Sequence, residues 1–408
     1  MDNRYIFILG RNSDLSLVEI ESVLKKNNIE FNLIAKSREV AIFETATSLD
    51  INLINKTLGG TVKIGVVLEK TEVSDDYSLV ISEDLLKTLF PDSESKIEFG
   101  ISIYDLDGDR RILEALSKNK FQTTKTIKLW LEQKGIKAHF PQSKDRFLSS
   151  AAVDKNKLIE KGAEILVIVS SSLIFVGKTV AVQEFEEFSF RDYGRPKRDM
   201  RSGVMPPKLA RMMINLAEVS EGDVLLDPFC GSGTLIQEAL YLGYKNIIGS
   251  DNSKKAIDDT KENIKWFKDK ITNINTEKVR IDIYEQDVRT ISKKIQSNSV
   301  SAIITEPYLG QTMHRRPQSS EIEKAILSLK QLYLSAFSEF KKILKPGGVV
   351  IFILPAFFDG RTTQSMDVLD QIKSLGFKQA DLSGSSRKSI IVGSRHDFVL
   401  REIIKLSV

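Results

Sequence analysis

Ten residues constrain this chain more than any others: Leu225-Leu226-Asp227-Pro228-Phe229-Cys230-Gly231-Ser232-Gly233-Thr234. An apolar run ending on an acid reads as a buried strand, and Pro228 stops its ladder. Gly231 and Gly233 let the backbone approach a ligand closely. The amphipathic stretch 235–242 follows at once, so the loop feeds a helix N-terminus. Strand, tight glycine loop and helix N-terminus together make a pocket for a nucleotide-like ligand.

The rhythm around this segment predicts an α/β domain. Strands are expected at 224–227, 246–251, 279–286, 300–305 and 348–354. Helices are expected at 235–242, 254–268, 321–344 and 366–375. Such alternation implies right-handed crossovers and a parallel, doubly wound sheet. The segments 377–382, 390–393 and 398–405 close it with an antiparallel hairpin. Upstream, strands at 5–10, 31–34, 40–44 and 61–68, with helices at 13–26 and 49–58, give the β-α-β-β-α-β order of a ferredoxin-like unit. A second α+β stretch is expected from 71 to about 170. It has a strand at 99–104, separate helices at 111–116 and 123–134, and a hairpin at 165–169 and 173–176. Residues 184–201 read as a charged, aromatic linker, and Pro206-Pro207 opens a helix at 208–218.

Charge is unevenly spread. Residues 1–109 carry 11 Lys and Arg against 20 Asp and Glu, while residues 110–211 carry 21 against 11. A basic block of this kind suits a polyanion. A single cysteine excludes an internal disulfide framework and points to a reducing compartment. The N-terminal stretch lacks a signal peptide's pattern and no apolar run is long enough for a membrane span, so a cytoplasmic protein with no membrane contact is expected. Three scattered histidines and one cysteine offer no metal-ligand spacing.

The chemistry sits at the expected carboxyl ends of the strands, where open α/β sheets bind ligands. A dinucleotide loop would carry a third glycine, but Ile236 stands there. Asp227 is poor company for a pyrophosphate and good company for an ammonium. S-adenosylmethionine (AdoMet) carries an ammonium, a ribose and an adenine. Asp227 suits the first, Asp251 the ribose hydroxyls and Asp287 the adenine amine. Backbone at Gly231–Gly233 can approach the methionine part. Cys230 reads as a small filler of the turn. The stretch 305–310 lacks the thiolate that covalent carbon-5 methylation of a pyrimidine needs. It instead offers acceptors for an exocyclic amine: Thr305 and Glu306, with Pro307 stiffening the turn and Tyr308 available to stack on a base.

At these residues the chain resembles a known family. DPFCGSGT with a downstream acid–Pro–aromatic motif looks like the amino-methyltransferases. DYGRPKRDMRSGVMPPKLARMMINLA narrows this to the THUMP-domain RNA guanine-N2 methyltransferases that modify guanosine 10 of tRNA. LGGTVKIG and FLSSAAVDKNKLIEKGAEILVI resemble the first half of that family. The resemblance implies a ferredoxin-like domain at 1–70, a THUMP RNA-binding domain at 71–183, a linker at 184–205 and a Rossmann-like AdoMet methyltransferase domain at 206–408. It implies AdoMet contacts at Asp227, Pro228, Gly231, Gly233, Thr234, Asp251, Asn252 and Asp287. The family's acid–Pro–Pro–Tyr motif is irregular here. Aligning Glu306 with the acid loses a proline; aligning Thr305 with it keeps Pro307 and Tyr308. We adopt Glu306, which keeps the acceptor.

A flipped or unpaired guanine must reach this site. Lys144, Arg146, Lys178, Arg195, Lys197 and Arg198, with Arg315 and Arg316 beyond the catalytic loop, are the expected contacts to tRNA. The alternatives are N2 of an rRNA guanine, an amine of DNA, or an RNA-binding protein without catalysis. Target nucleotide, number of methyls, oligomeric state and a small activating protein subunit are left open.

Overall fold

The computed structural model describes residues 3–73, 81–90, 96–141, 143, 145–198, 205–271, 278–311, 315–382, 387–394 and 397–408. It divides into two compact units: Met1–Leu17 with Asn27–Phe185, and Val18–Lys26 with Glu186–Val408.

The first unit runs β1 (Arg4–Leu9), the start of α1 (Ser13–Lys26), whose residues from Val18 onward belong to the second unit, β2 (Phe31–Lys36), β3 (Val40–Thr45), α2 (Ile51–Thr57) and β4 (Thr61–Glu72). There follow α3 (Glu83–Leu89), β5 (Lys96–Asp105), α4 (Arg110–Gln133), β6 (Lys137–His139), α5 (Ser150–Lys155), β7 (Gly162–Val169) and β8 (Leu173–Val182). Its eight strands form one sheet in the order β2-β3-β1-β4-β8-β7-β5-β6. The first four are antiparallel, as a ferredoxin-like order requires. The expected boundary at 70/71 falls inside β4, whose pairing with β8 extends from Lys63 to Glu72. The two helices expected at 111–116 and 123–134 are one helix, α4. Buried Ile112, Leu116, Thr124, Ile127 and Leu131 keep a single apolar stripe, and no Gly or Pro interrupts it. Glu164 on β7 is fully buried and accepts from Lys63 on β4, Ser102 on β5 and Thr179 on β8. One satisfied carboxylate thereby pins four neighbouring strands in register.

The second unit runs α6 (Phe185–Tyr193), α7 (Pro207–Leu216), β9 (Val224–Asp227), α8 (Thr234–Tyr241), β10 (Asn246–Asp251), α9 (Lys254–Lys270) and β11 (Arg280–Glu285). A 3-10 turn (Val288–Lys293), β12 (Val300–Thr305), α10 (Ser319–Ile343), β13 (Leu344–Phe358), β14 (Thr363–Ser365), α11 (Leu369–Ser374), β15 (Lys378–Ala380), β16 (Ser389–Val392) and β17 (Val399–Ser407) complete it. The sheet order is β11-β10-β9-β12-β13-β17-β15, with β14 on β13 and β16 on β17. Strands β11 to β13 are parallel, and β17 runs antiparallel to β13. Every residue of β12 is buried, as a strand covered on both faces should be. Chain order reverses at β9, between β10 and β12. That is the switch point where open α/β sheets leave a crevice, and the glycine loop leaves β9 into it.

The segment expected as a plain linker is partly helical and packed. Arg191 of α6 and Arg211 of α7 are both buried and pair with buried Glu238 of α8, at 2.7 and 2.5 Å. Both guanidinium groups also lie on the Tyr241 ring. This anchors α6 and α7 to the helix that the glycine loop feeds.

Candidate active site

A cavity of about 910 Å³ opens at the carboxyl ends of β9, β10 and β12. Asp227, Asp251, Asp287 and Glu306 all line it, as do Pro228, Gly231, Thr234, Asn252, Pro307 and Tyr308. Residues far apart in sequence meet there because each ends or follows a strand of one parallel sheet.

Asp227 is only 5% exposed. Its Oδ1 accepts from the Thr305 hydroxyl at 2.6 Å and from the Phe229 N–H at 3.2 Å. Burial, reinforced by the charges of Asp251 and Glu306, pushes its carboxyl up to about 7 despite those two bonds. A cation entering the cavity would therefore meet a carboxyl that gains most from it. Asp251 accepts from the Gly231 N–H at 3.1 Å and the Ser253 N–H at 2.9 Å, which fixes both oxygens at the loop. Each oxygen keeps a lone pair for a hydroxyl donor. Asp287 caps the 3-10 turn and pairs with Arg289 at 2.6 Å; those bonds hold its carboxyl below the usual range. Asn252 lines the wall next to Asp251.

The glycine loop is built by its backbone. Gly231 and Gly233 have φ of +52° and +83°. The Gly231 carbonyl accepts from the Thr260 hydroxyl at 2.7 Å, and the Ser232 carbonyl accepts from the Asn263 amide at 2.8 Å. A Cβ on Gly233 would lie 3.0 Å from the Thr260 side chain, whereas one on Gly231 would meet nothing within 4 Å. Gly233 does not line the cavity; it turns the chain into α8 and packs on α9. Gly233→Ala is therefore expected to lower stability by about 1–2 kcal/mol through the left-handed conformation alone, and more than Gly231→Ala because of Thr260. Thermal unfolding of the two variants checks this ordering; equal midpoints would refute it. Cys230 is buried, its Sγ lies 3.9 Å from the Thr260 hydroxyl, and burial pushes its thiol well above the usual range. That is a turn filler, not a thiolate nucleophile.

Three expected residues have different parts. Thr305 is fully buried and its hydroxyl is spent on Asp227, so it supports the carboxylate and does not face an acceptor base. Thr234 lines the cavity, but its hydroxyl accepts from Arg195. Arg195, expected on RNA, is 4% exposed and braces the loop from behind, its guanidinium held against Asp192 and Thr234 inside the domain. In the same segment the Lys197 N–H donates to Asn263 at 3.0 Å.

The other expected RNA contacts vary. Lys197 and Arg198 stay partly exposed, pairing with Glu262 at 3.3 Å and Asp192 at 3.5 Å, and Arg198 lies over the Tyr193 ring. Arg315 and Arg316 are exposed, the former paired with Glu321. In the first unit, Arg146 pairs with Glu39 at 2.6 Å, and half-buried Lys178 has its ammonium pushed down by burial. Lys144 lies outside the described residues.

Glu306 follows β12 and its side chain is mostly buried. Its Oε1 accepts from Nε of Arg401 at 2.5 Å. Arg401 also lines the cavity, and sequence reasoning missed it. It lies nearly a hundred residues away on an antiparallel strand, with no motif around it. Pro307 is buried and Tyr308 is 56% exposed. The Tyr308 carbonyl accepts from Tyr333 at 2.7 Å, which ties the loop to α10. Among the described residues no group of three or more His, Cys, Asp or Glu could hold a metal, and no helix is long and apolar enough to cross a membrane.

The sheet order, the switch-point loop and the strand-end acids define an α/β methyltransferase domain. Residues 195–359 match the UPF0020 family, described as RMKL-like, methyltransferase domain. Among curated proteins, the chain is 28% identical over 193 residues to the tRNA (guanine(10)-N2)-dimethyltransferase of Methanocaldococcus jannaschii, covering 47% of this chain and 49% of that protein. It is 29% identical over 193 residues to the enzyme of that name from Methanothermobacter thermautotrophicus, covering 47% and 50%. The chain thus matches about half the length of these relatives. Among solved structures, TrmN from Thermus thermophilus aligns over 99% of both chains with a TM-score of 0.55 at 15% identity. A possible methylase from Clostridium difficile 630 aligns over 100% of this chain and 98% of its own with a TM-score of 0.51, also at 15%. At such identities these likenesses show the shared fold.

Proposed function

We propose that the protein is an AdoMet-dependent RNA methyltransferase that methylates the exocyclic N2 of a guanosine in tRNA, at position 10 by likeness to its relatives. The observation that carries this reading is the convergence of Asp227, Asp251, Asp287 and Glu306 on one cavity beside the glycine loop. Three acids match the ammonium, the ribose hydroxyls and the adenine amine of AdoMet, and the fourth faces the same space from the catalytic loop. The curated relatives support the substrate.

Bound AdoMet would supply an electrophilic methyl group beside a positive sulfur. The chain's own residues supply the rest. Asp227 would hold the ammonium, Asp251 the ribose hydroxyls and Asp287 the adenine amine. Glu306 would accept N–H bonds from the guanine amine, aim the nitrogen lone pair at the methyl and take up the proton released once the new N–C bond has formed. Tyr308 would stack on the base. In this reading the ferredoxin-like and THUMP parts share the first unit's sheet, meeting within β4 rather than at a break at 70/71, the THUMP part binding tRNA through its basic surface, and 206–408 form the catalytic domain. Arg146, Lys178, Lys197, Arg198, Arg315 and Arg316 remain the proposed RNA contacts, and Arg195 leaves that set. The tRNA pool of the cytoplasm is the compartment this implies.

Methyl transfer from labelled AdoMet to unmodified tRNA, rRNA and DNA tests the proposal. N2-methylated guanosine is expected in nucleosides from the tRNA. Label confined to rRNA or DNA would move the substrate, and no cofactor binding by calorimetry would favour a non-catalytic RNA-binding protein.

A further inference from the structure

The pairing of Glu306 with Arg401 has a consequence for which base the site accepts. Strand β17 runs antiparallel, so its first residues lie at the rim where the parallel strands end. Arg401 sits opposite Pro355 of β13 and reaches across that strand to Glu306. The contact uses Nε of the arginine and Oε1 of the glutamate. Among the described residues no partner takes Glu306 Oε2 or the terminal nitrogens of Arg401, and both side chains line the cavity. A partly buried carboxylate held by one arginine nitrogen is fixed in orientation, where a free glutamate would sample several rotamers.

We propose that Arg401 is a positioning residue that locks Glu306 as a reader of guanine; this rests on the amino-methyltransferase reading above. An ionised carboxylate only accepts hydrogen bonds. Guanine places two donors side by side, N1–H and the N2 amine, so a fixed carboxylate satisfies both. Adenine and cytosine place a ring nitrogen lone pair beside their amine, and that lone pair would face the carboxylate without a proton between them. A buried acceptor left facing an acceptor is the kind of mismatch that discriminates by large factors. Arg401 keeps the carboxylate aimed and offsets its charge. The same arrangement accounts for a glutamate in the catalytic loop: its reach to β17 gives it an anchor there.

Two measurements on the full-length protein test this. The first is saturation-transfer NMR with guanosine 5′-monophosphate and adenosine 5′-monophosphate, in the presence of S-adenosylhomocysteine. The guanine nucleotide is expected to give the stronger signal in the wild type, to lose it in Glu306→Ala, and to lose much of it in Arg401→Gln. Equal signals from the two nucleotides, or a guanine signal unchanged in both variants, overturns the proposal. The second is steady-state methyl transfer to tRNA by Arg401→Gln and Arg401→Lys. Turnover is expected to fall roughly 10- to 100-fold in the glutamine variant and to recover in part with lysine, while cofactor affinity stays within about threefold. A merely structural arginine would lower the melting temperature and leave the turnover of folded protein intact, which would also overturn it. Guanine selectivity without methyl transfer to tRNA would sink the tRNA reading and leave the role of the pair standing.

Discussion

Asp227→Ala is expected to weaken AdoMet binding at least 100-fold, measured by calorimetry at pH 8, with the fold retained. The carboxyl is buried and already burdened by Asp251 and Glu306. An ammonium placed against it relieves a charge that has no cationic partner among the described residues. Pairing a buried charge is worth about 3–5 kcal/mol by the cost of breaking such pairs, which corresponds to two or more decades in affinity. An affinity within threefold of wild type would remove Asp227 from the site. The same carboxyl makes binding pH-dependent. With a folded-state value of about 7, the ionised fraction falls roughly tenfold from pH 8 to pH 6, and affinity should fall with it. Asp227→Asn should lose both the affinity and this pH dependence. Stability moves the opposite way. The folded value lies above the ordinary 3.8, so the wild type loses stability as pH rises between those two values. The asparagine variant does not titrate; its melting temperature should exceed that of the wild type at pH 8 and match it near pH 4.

Glu306→Ala is expected to lower methyl transfer by 10²–10³-fold, the range for removing one group that stabilises developing charge, while cofactor affinity changes little. The split is diagnostic of the proposed roles: Asp227 in the binding of the donor, Glu306 in the step that uses it. Glutamine at 306 keeps one acceptor oxygen but presents an amide donor beside it, so Glu306→Gln should recover only a minor part. Single-turnover rates with saturating AdoMet separate the two effects. Near-normal rates in both Glu306 variants would transfer the acceptor role to backbone carbonyls of the loop.

Much of this was legible in local chemistry. The alternation of apolar strands and amphipathic helices from Asp223 onward sets a parallel sheet, because strands covered on both faces must be largely apolar, as β12 is apart from Ser301 and Thr305. A loop with two glycines, one acid before it and no third glycine marks a cationic, nucleoside-bearing ligand and not a dinucleotide. The acids at 251 and 287 were legible for the same reason, since the first ends a predicted strand and the second follows one. Legibility stopped where an assignment depended on what surrounds a side chain. Arg195 reads as a surface cation within a basic run, yet it is buried on Thr234. Thr305 reads as an acceptor in the catalytic loop, yet its one proton is directed to Asp227. The apolar stripe of α4 spans a polar stretch that looks like a break when only neighbours in sequence are compared.

By itself, then, the sequence determined the fold of the second unit, the glycine loop at its switch point and the acids that end or follow its strands. These follow from periodicity, glycine conformation and charge, which act over a few residues. Only the tertiary structure decided which groups are partners: Glu238 between two buried arginines, Asp227 raised by burial and then by the carboxyls of Asp251 and Glu306, and Glu306 paired with Arg401. Those pairings join residues up to 95 positions apart. Their energetics come from burial and from the direction of an antiparallel strand, and neither leaves a local signature in the chain.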